Sequence, residues 1–413
     1  MSPGSRWGSK EIDLAIKRKF WTLTDVSAGV WQDDFEITSR RLGARRGPAW
    51  SVRKRTLRGG LSDGVEVVEV DNGELSFTIL PTRGMGVWRG AYRDLAVGWR
   101  APVAGPVHPK FVRPDDRGGL GWLQGFDELV VRCGLESNGA PCTDTVIDNN
   151  GNRSEVRLPL HGRIANLPAC RLEVEVVPGE RPGIIVTGVV EESMLFGPGL
   201  RLVSRISTRA GTNTLAIDDA VTNIRDVPAE MELLYHCNFG APFLEQDARL
   251  LAPSRRVAPR DARAAEGIAG HAGYLAPTPG YVEQVYYHEL AAGPDGRTLA
   301  ALVNAAGDKA VALRFGRDEL PCFAQWKNTA GLGDGYVTGL EPGTNYPNPK
   351  PFERDKGRVV KLAPGAAHRA RLSLEVLDSA RAVAGLEREV RAMLGGSPPK
   401  VHRTPQPDLS PGR

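Results

Sequence analysis

The chain has 413 residues, with 53 Lys and Arg against 49 Asp and Glu and 7 His, for a formal charge of +4; hydrophobic residues make up 41% and charged residues 25%. That balance is ordinary for a soluble globular protein, and a near-neutral charge without a clustered basic face argues against a nucleic-acid binder. Gly (48) and Pro (31) together make about a fifth of the chain, against an average of roughly 12%, which disfavours coiled coils and helical bundles; the glycines also lack the three-residue period of collagen.

The first 19 residues contain no apolar run like the core of a signal peptide, and charges begin at Arg6 and Lys10. No stretch approaches 18 uninterrupted apolar residues, so no membrane span is expected. The five cysteines (Cys133, Cys142, Cys170, Cys237 and Cys322) are odd in number and scattered, with no CxxC pair. They indicate neither a zinc knuckle nor a disulfide framework, and the expected compartment is the reducing cytoplasm.

Residues 1–20 read as a tail with a short helix over Glu11 to Phe20, where Ile12 and Ile16 fall one turn apart. Short β-like segments follow: Val65–Val70, Leu75–Leu80, Leu129–Cys133, Leu172–Val177, Ile184–Val190, Leu200–Ile206 and Leu215–Asp218. They continue with Met231–His236, Val282–Tyr287, Leu299–Val303, Ala310–Phe315, Val359–Leu362 and Ala370–Val376. In the last of these Arg371, Ser373 and Glu375 share one face, and Leu372, Leu374 and Val376 the other, the period of a half-buried strand. So many short strands without intervening helices predict an all-β protein, an antiparallel sandwich or barrel. Ala252 to Pro279 reads as a solvated surface excursion. The spacing of Val383, Leu386, Val390 and Met393 predicts a helix over 379–394, stopped by Gly395. The Pro-rich segment from 396 to 413 has almost no apolar content and is expected to stay disordered. Residues 21–395 then form one domain.

Three segments place polar residues in strand-like surroundings: LPLHGRIAN with His161 and Arg163, LLYHCNFG with His236 and Asn238, and GLEPGTNYP with Glu341. The run Met231–Tyr235 predicts a buried strand that delivers His236 at its end, a rigid support for a reactive side chain. Arg83 offers a fork-shaped donor set, Asp127 and Gln325 offer hydroxyl partners, Trp122 and Trp326 offer stacking faces, and Lys327 offers a charge for a carboxylate or phosphate.

In this order the motifs resemble the aldose 1-epimerase (galactose mutarotase-like) superfamily, closest to its bacterial aldose-epimerase-like branch. The resemblance covers roughly Gly64 to Val376, and PTRGMGVW (Pro81–Trp88) and GWLQGFDELVVRCGLESNGAP (Gly121–Pro141) share it. It implies a β-supersandwich with a few peripheral helices and a sugar cleft on one face. Residue by residue, it implies that His161 orients the sugar, His236 acts as general acid and Glu341 as general base, interconverting sugar anomers through ring opening. Substrate-binding roles are expected for Arg83, Asp127, Arg163, Asn238, Gln325, Trp326 and Lys327. The family's usual mid-sequence arginine and late aspartate match no residue here. No cofactor or metal is required by that chemistry, and the expected partner is a small-molecule sugar, with no nucleic acid or membrane, for a monomer or homodimer.

Two other readings use the same residues. His161, His236 and Glu341 could hold a divalent metal for isomerising or eliminating a keto-sugar, or the protein could bind carbohydrate without chemistry. A glycoside hydrolase is disfavoured, because it ordinarily needs two facing carboxyl groups and only Glu341 has motif support.

Overall fold

The computed structural model describes residues 18–43 and 47–412. Two large sheets dominate. The smaller has ten strands, running from Arg249–Leu251 at one edge through Ala310–Gly316, Ala367–Leu377 and Gly183–Ser193 to Val30–Trp31 at the other. The larger has fourteen, and its centre is the run Gln284–Leu290, Cys322–Asn328, Val337–Gly343, Ala229–Phe239 and Val130–Leu135, all antiparallel. The strand pattern predicts an antiparallel all-β sandwich or barrel, and the architecture is the β-supersandwich that the family resemblance implies. No helix among the described residues is long and apolar enough to cross a membrane.

Alternation decides which side chains meet between the sheets. From the ten-stranded sheet come Leu372, Leu374 and Val376; from the fourteen-stranded sheet come Leu233, Tyr235, Cys237 and Phe239, and all join one apolar core. One ion pair spans that core. Arg132 meets Asp219 from the opposite sheet, while Ser204 Oγ, the Met85 carbonyl and Tyr235 Oη (on Asp219, 2.8 Å) complete the polar set. A buried pair of this kind is tolerated because its hydrogen-bonding capacity is met. The helix Ala380–Leu394 is capped by Ser379 and a left-handed Gly395, and it covers the outer face of the ten-stranded sheet with Val383, Leu386 and Val390.

Every expected strand overlaps an observed one, and several are longer; Gly183–Ser193, Gly199–Arg209 and Ala229–Phe239 each run 11 residues. Three expectations need comment. The expected helix over 11–20 lies largely outside the described residues, but Phe20 belongs to the strand Lys19–Asp25.

The stretch from Ala252 to Pro279 is not a solvated excursion. Ser254–Pro259 is a largely buried strand paired with Gln284–Leu290, and Ala262–Glu266 is a short helix capped by Asp261. Its Arg and Ala content hid the pairing, because Arg256 and Arg260 turn outward to carboxylates while Val257 and Ala258 are buried.

The C-terminal segment is ordered through residue 412. Lys400–Val401 pairs in parallel with Ser254–Pro259, Leu409 is buried beside Tyr287 and Tyr346, and Arg358 Nη1 holds the Asp408 carbonyl at 2.7 Å. Its order rests on a sheet edge that accepts its backbone and on one leucine, features that composition does not report.

Candidate active site

The His236 strand (Ala229–Phe239) alternates so that odd residues enter the core and Leu234, His236 and Asn238 face outward. The neighbouring Glu341 strand (Val337–Gly343) pairs Leu234 with Gly343 and Cys237 with Leu340, a register that sets Glu341 opposite His236. His236 Nε2 and Glu341 Oε1 lie 3.2 Å apart, yet that oxygen is not aligned for a hydrogen bond and has no partner among the described residues. Gly339 leaves the gap open. A Cβ there would sit 2.5 Å from Glu341 Oε1 and 2.9 Å from His236 Cε1.

His161 arrives from a loop, in a left-handed backbone conformation (φ 58°). For a residue other than glycine this costs on the order of 1–3 kcal/mol and persists only where the surroundings enforce it. Here His161 N–H donates to the Gly139 carbonyl and its carbonyl accepts from Gly134 N–H, both at 3.0 Å. Its ring lies edge-on to that of His236, with centroids 5.4 Å apart. Trp122 (4.6 Å from His161), Phe126 (5.0 Å from His236) and Trp326 (5.3 Å from His236) wall the pair of imidazoles. Trp122 Nε1–H is buried without an acceptor among the described residues. His161, His236 and Glu341 retain exposures of 9%, 5% and 3%, so the polar atoms of the cluster are nearly dry.

Hydrogen-bond partners fix both tautomers. His161 Nδ1 lies 2.8 Å from the Asn138 carbonyl, which can only accept, so Nδ1 carries the proton and Nε2 the lone pair. Asn238 Nδ2 donates to the carbonyls of Glu128 and His236, so its Oδ1 is the atom that faces His236 Nδ1 at 2.6 Å. His236 Nδ1 is therefore a donor, and in the neutral ring Nε2 carries the lone pair, 3.2 Å from Glu341 Oε1.

Burial dominates the electrostatics. It drives His236 well below the ordinary histidine range, reinforced by His161, and lowers His161 to about 4. It raises Glu341 to about 8, with Glu283 adding to the rise and Arg260 opposing it. Two neutral imidazoles and a protonated carboxyl are the resting state this environment favours.

The remaining sequence-predicted residues divide sharply. Trp326 is a wall of the site, its Nε1–H held by Glu283 at 2.6 Å. Asn238 is in the site, but its amide is spent on His236 and two carbonyls, so it is not a free partner for sugar hydroxyls. Arg163 is exposed, two residues beyond His161. Arg83 does not reach outward as a donor; it is buried and holds Glu128, the Val107 and Gly125 carbonyls and Asn166. It thereby stabilises the loop that carries Trp122 and Phe126. Gln325 is likewise consumed by the His271 carbonyl, Tyr274 and His288.

Lys327 is no anion reader. It is buried, lowered to about 8 by desolvation, and its ammonium is caged by the carbonyls of Gly270, His271 and Gly273. Asp127 accepts from Trp88 Nε1 at 2.9 Å and abuts Gly105; burial, then Glu128, raises it to about 8. Among the described residues no three His, Cys, Asp or Glu side chains converge as a metal-ligand set.

Sequence reasoning left Asn138, Gly339 and Phe126 without roles, although all three sit in or beside the quoted motifs. Only Gly339 carried a usable signal, as a glycine two residues before Glu341 in the GLEPGTNYP motif.

A family model described as a domain of unknown function, DUF4432, matches residues 62–376, well over half of the chain. The chain belongs to this family. Among solved structures, a "putative aldose 1-epimerase" from Klebsiella pneumoniae is 34% identical to this DUF4432 protein, with a TM-score of 0.88 over 94% of this chain and 99% of that one. A galactose mutarotase-like protein from Clostridium acetobutylicum is 15% identical, with a TM-score of 0.53 over 79% of this chain and 98% of that one, a likeness of fold alone. No curated protein matches the sequence. The DUF4432 chain thus has the galactose mutarotase-like fold and lies within that superfamily.

Proposed function

We propose that this DUF4432 protein interconverts the anomers of a sugar by acid–base ring opening at His236 and Glu341. The observation that carries the reading is the His236–Glu341 pair itself: 3.2 Å apart, nearly dry, and with a carboxyl oxygen left without a partner among the described residues.

Opening a pyranose removes the proton from the anomeric hydroxyl and delivers one to the ring oxygen, two atoms bonded to the same carbon. An acid and a base side by side suit that demand. The pair holds one mobile proton, either on Glu341 (both groups neutral) or on His236 Nε2 (carboxylate and imidazolium). The ion-pair form is the reactive one. Glu341 takes the anomeric O–H proton, His236 Nε2–H protonates the ring oxygen, the C1–O bond to the ring breaks and the C1 carbonyl forms. The pair is left in its neutral form, which is the resting state, and closure on the other carbonyl face runs the transfers backward. Each transfer contributes on the order of 10²–10⁴-fold.

His161 cannot donate to the ring oxygen from Nε2 in its neutral tautomer; it accepts from a sugar hydroxyl instead. Trp326, Phe126 and Trp122 offer the apolar faces that pack against C–H surfaces of a sugar ring. The relative from Klebsiella pneumoniae, described as a "putative aldose 1-epimerase", supports the same reading.

The test is an NMR exchange screen that follows anomer interconversion across a panel of aldoses and uronates, with wild type and Glu341→Gln side by side. Enzyme-dependent exchange of at least one sugar, lost in Glu341→Gln while binding persists, is expected. Exchange undiminished in the variant would remove Glu341 from the base role.

A further inference from the structure

His161 is buried in a strained backbone conformation, and the residue that receives its ring is itself gripped from three sides. Asn138 and Asn345 pair their amides reciprocally, Asn138 Nδ2 to Asn345 Oδ1 at 2.8 Å and Asn345 Nδ2 to Asn138 Oδ1 at 3.1 Å. Both residues are fully buried. Asn138 N–H donates to Glu232 Oε2 at 2.9 Å, and the Asn138 carbonyl accepts His161 Nδ1–H at 2.8 Å.

The supports are anchored in turn. Asn345 Oδ1 accepts from Thr344 Oγ1 at 2.9 Å, and that hydroxyl accepts from Leu233 N–H at 3.0 Å, one strand position past Glu232. Glu232, Leu233 and His236 share one strand, while Thr344 and Asn345 directly follow the strand that carries Glu341. The network therefore refers the loop that presents His161 to the same two strands that present His236 and Glu341. A buried amide pair has one arrangement that satisfies both partners, and any other leaves polar atoms unpaired at considerable cost.

We propose that Asn138, clamped by Asn345 and Glu232, is a positioning residue that fixes His161 as its Nδ1–H tautomer and keeps the Nε2 lone pair facing the His236–Glu341 pair's substrate. The part that concerns substrate rests on the epimerase reading; the part that concerns the tautomer does not.

The experiment uses the full chain with ring-¹⁵N-labelled histidine and long-range proton–nitrogen NMR, with His161 assigned by its loss in His161→Gln. Wild type is expected to show Nδ1 of His161 protonated and Nε2 bare. Asn345→Ala, which removes the reciprocal amide, is expected to shift His161 toward a mixture of tautomers. It should also lower kcat for anomer exchange roughly tenfold or more, the scale of an ångström-level misplacement. Glu232→Gln keeps an acceptor for Asn138 N–H and should preserve the wild-type tautomer, whereas Glu232→Leu should reproduce the Asn345→Ala spectrum.

A protonated Nε2 in wild type would overturn the proposal without any variant, and so it stays falsifiable should Asn345→Ala fail to fold. A folded Asn345→Ala whose His161 tautomer is unchanged would overturn it too. The expected tautomers in a protein that exchanges no sugar would uphold the clamp and count against the epimerase reading alone.

Discussion

The two faces of the fourteen-stranded sheet solve the burial of charge in opposite ways. On the core face, Arg132 and Asp219 are both fully buried, and the pair is wrapped by Ser204, Tyr235 and backbone carbonyls. On the outer face of the same sheet Glu341 is nearly as dry, yet among the described residues one of its oxygens has no partner, and Trp122 Nε1–H nearby is equally bare. A closed polar network contributes to a unique core, whereas an open one costs desolvation and is retained only where something else completes it. The contrast lies within one strand: Tyr235 belongs to the first arrangement, His236 and Asn238 to the second.

The contrast can be broken first at its outer face. Glu341→Gln should lower the rate of anomer exchange by about 10²–10⁴-fold while leaving thermal stability at neutral pH near wild type; a large loss of stability with no specific loss of rate would move Glu341 to the structural side. Asp219→Ala is the converse. It strands a buried guanidinium and should destabilise by about 3–5 kcal/mol in denaturant titration, with the activity of the remaining folded protein largely intact. Equal damage to both properties in both variants would erase the distinction between the faces.

Finer substitutions sharpen it. Asn238→Leu removes the acceptor that fixes His236, and a rate loss of about tenfold to a hundredfold is expected, mostly in kcat. Gly339→Ala forces a methyl between His236 and Glu341; about tenfold is expected, and a crystal structure of the variant should show the pair spread apart.

The smallest effect is on the pH dependence of stability. Glu341 is held at about 8 in the folded chain, above its ordinary value, so the folded state keeps a proton that the unfolded chain releases. That contribution is present in full below the ordinary carboxyl pKa and is lost as pH rises through about 8. Asp127 (about 8) and Glu232 (about 7) act in the same direction. The buried histidines, His161 lowered to about 4 and His236 well below its ordinary range, act in the opposite direction up to the ordinary histidine pKa. The decline in melting temperature is therefore expected from pH 7 to pH 9, and should be smaller in Glu341→Gln. An identical slope in the two proteins would show that Glu341 ionises as freely when folded as when unfolded.

Much of the fold was legible because strand period is local. Leu372, Leu374 and Val376 alternate with Arg371, Ser373 and Glu375 in the sequence as they do between core and surface. The strands Cys322–Asn328 and Val337–Gly343 escaped because they are buried on both sides and show no alternation. Glu341, His236 and His161 were legible through their motifs. What each cation does was not: Arg83 and Lys327 look like ligand-binding donors until the carbonyls that surround them are known, and those carbonyls lie 24 to 57 residues away. Asn138 was hidden for the same reason, since its partner Asn345 is 207 residues distant.

The account depends most on the proton that His236 and Glu341 share, and infrared or carboxyl-¹³C titration of Glu341, assigned with Glu341→Gln, reads it directly. A carboxyl that is protonated at neutral pH and ionises near pH 8 is the predicted result. A carboxylate already ionised at pH 5 beside a neutral His236 would leave the pair without its mobile proton and contradict the account.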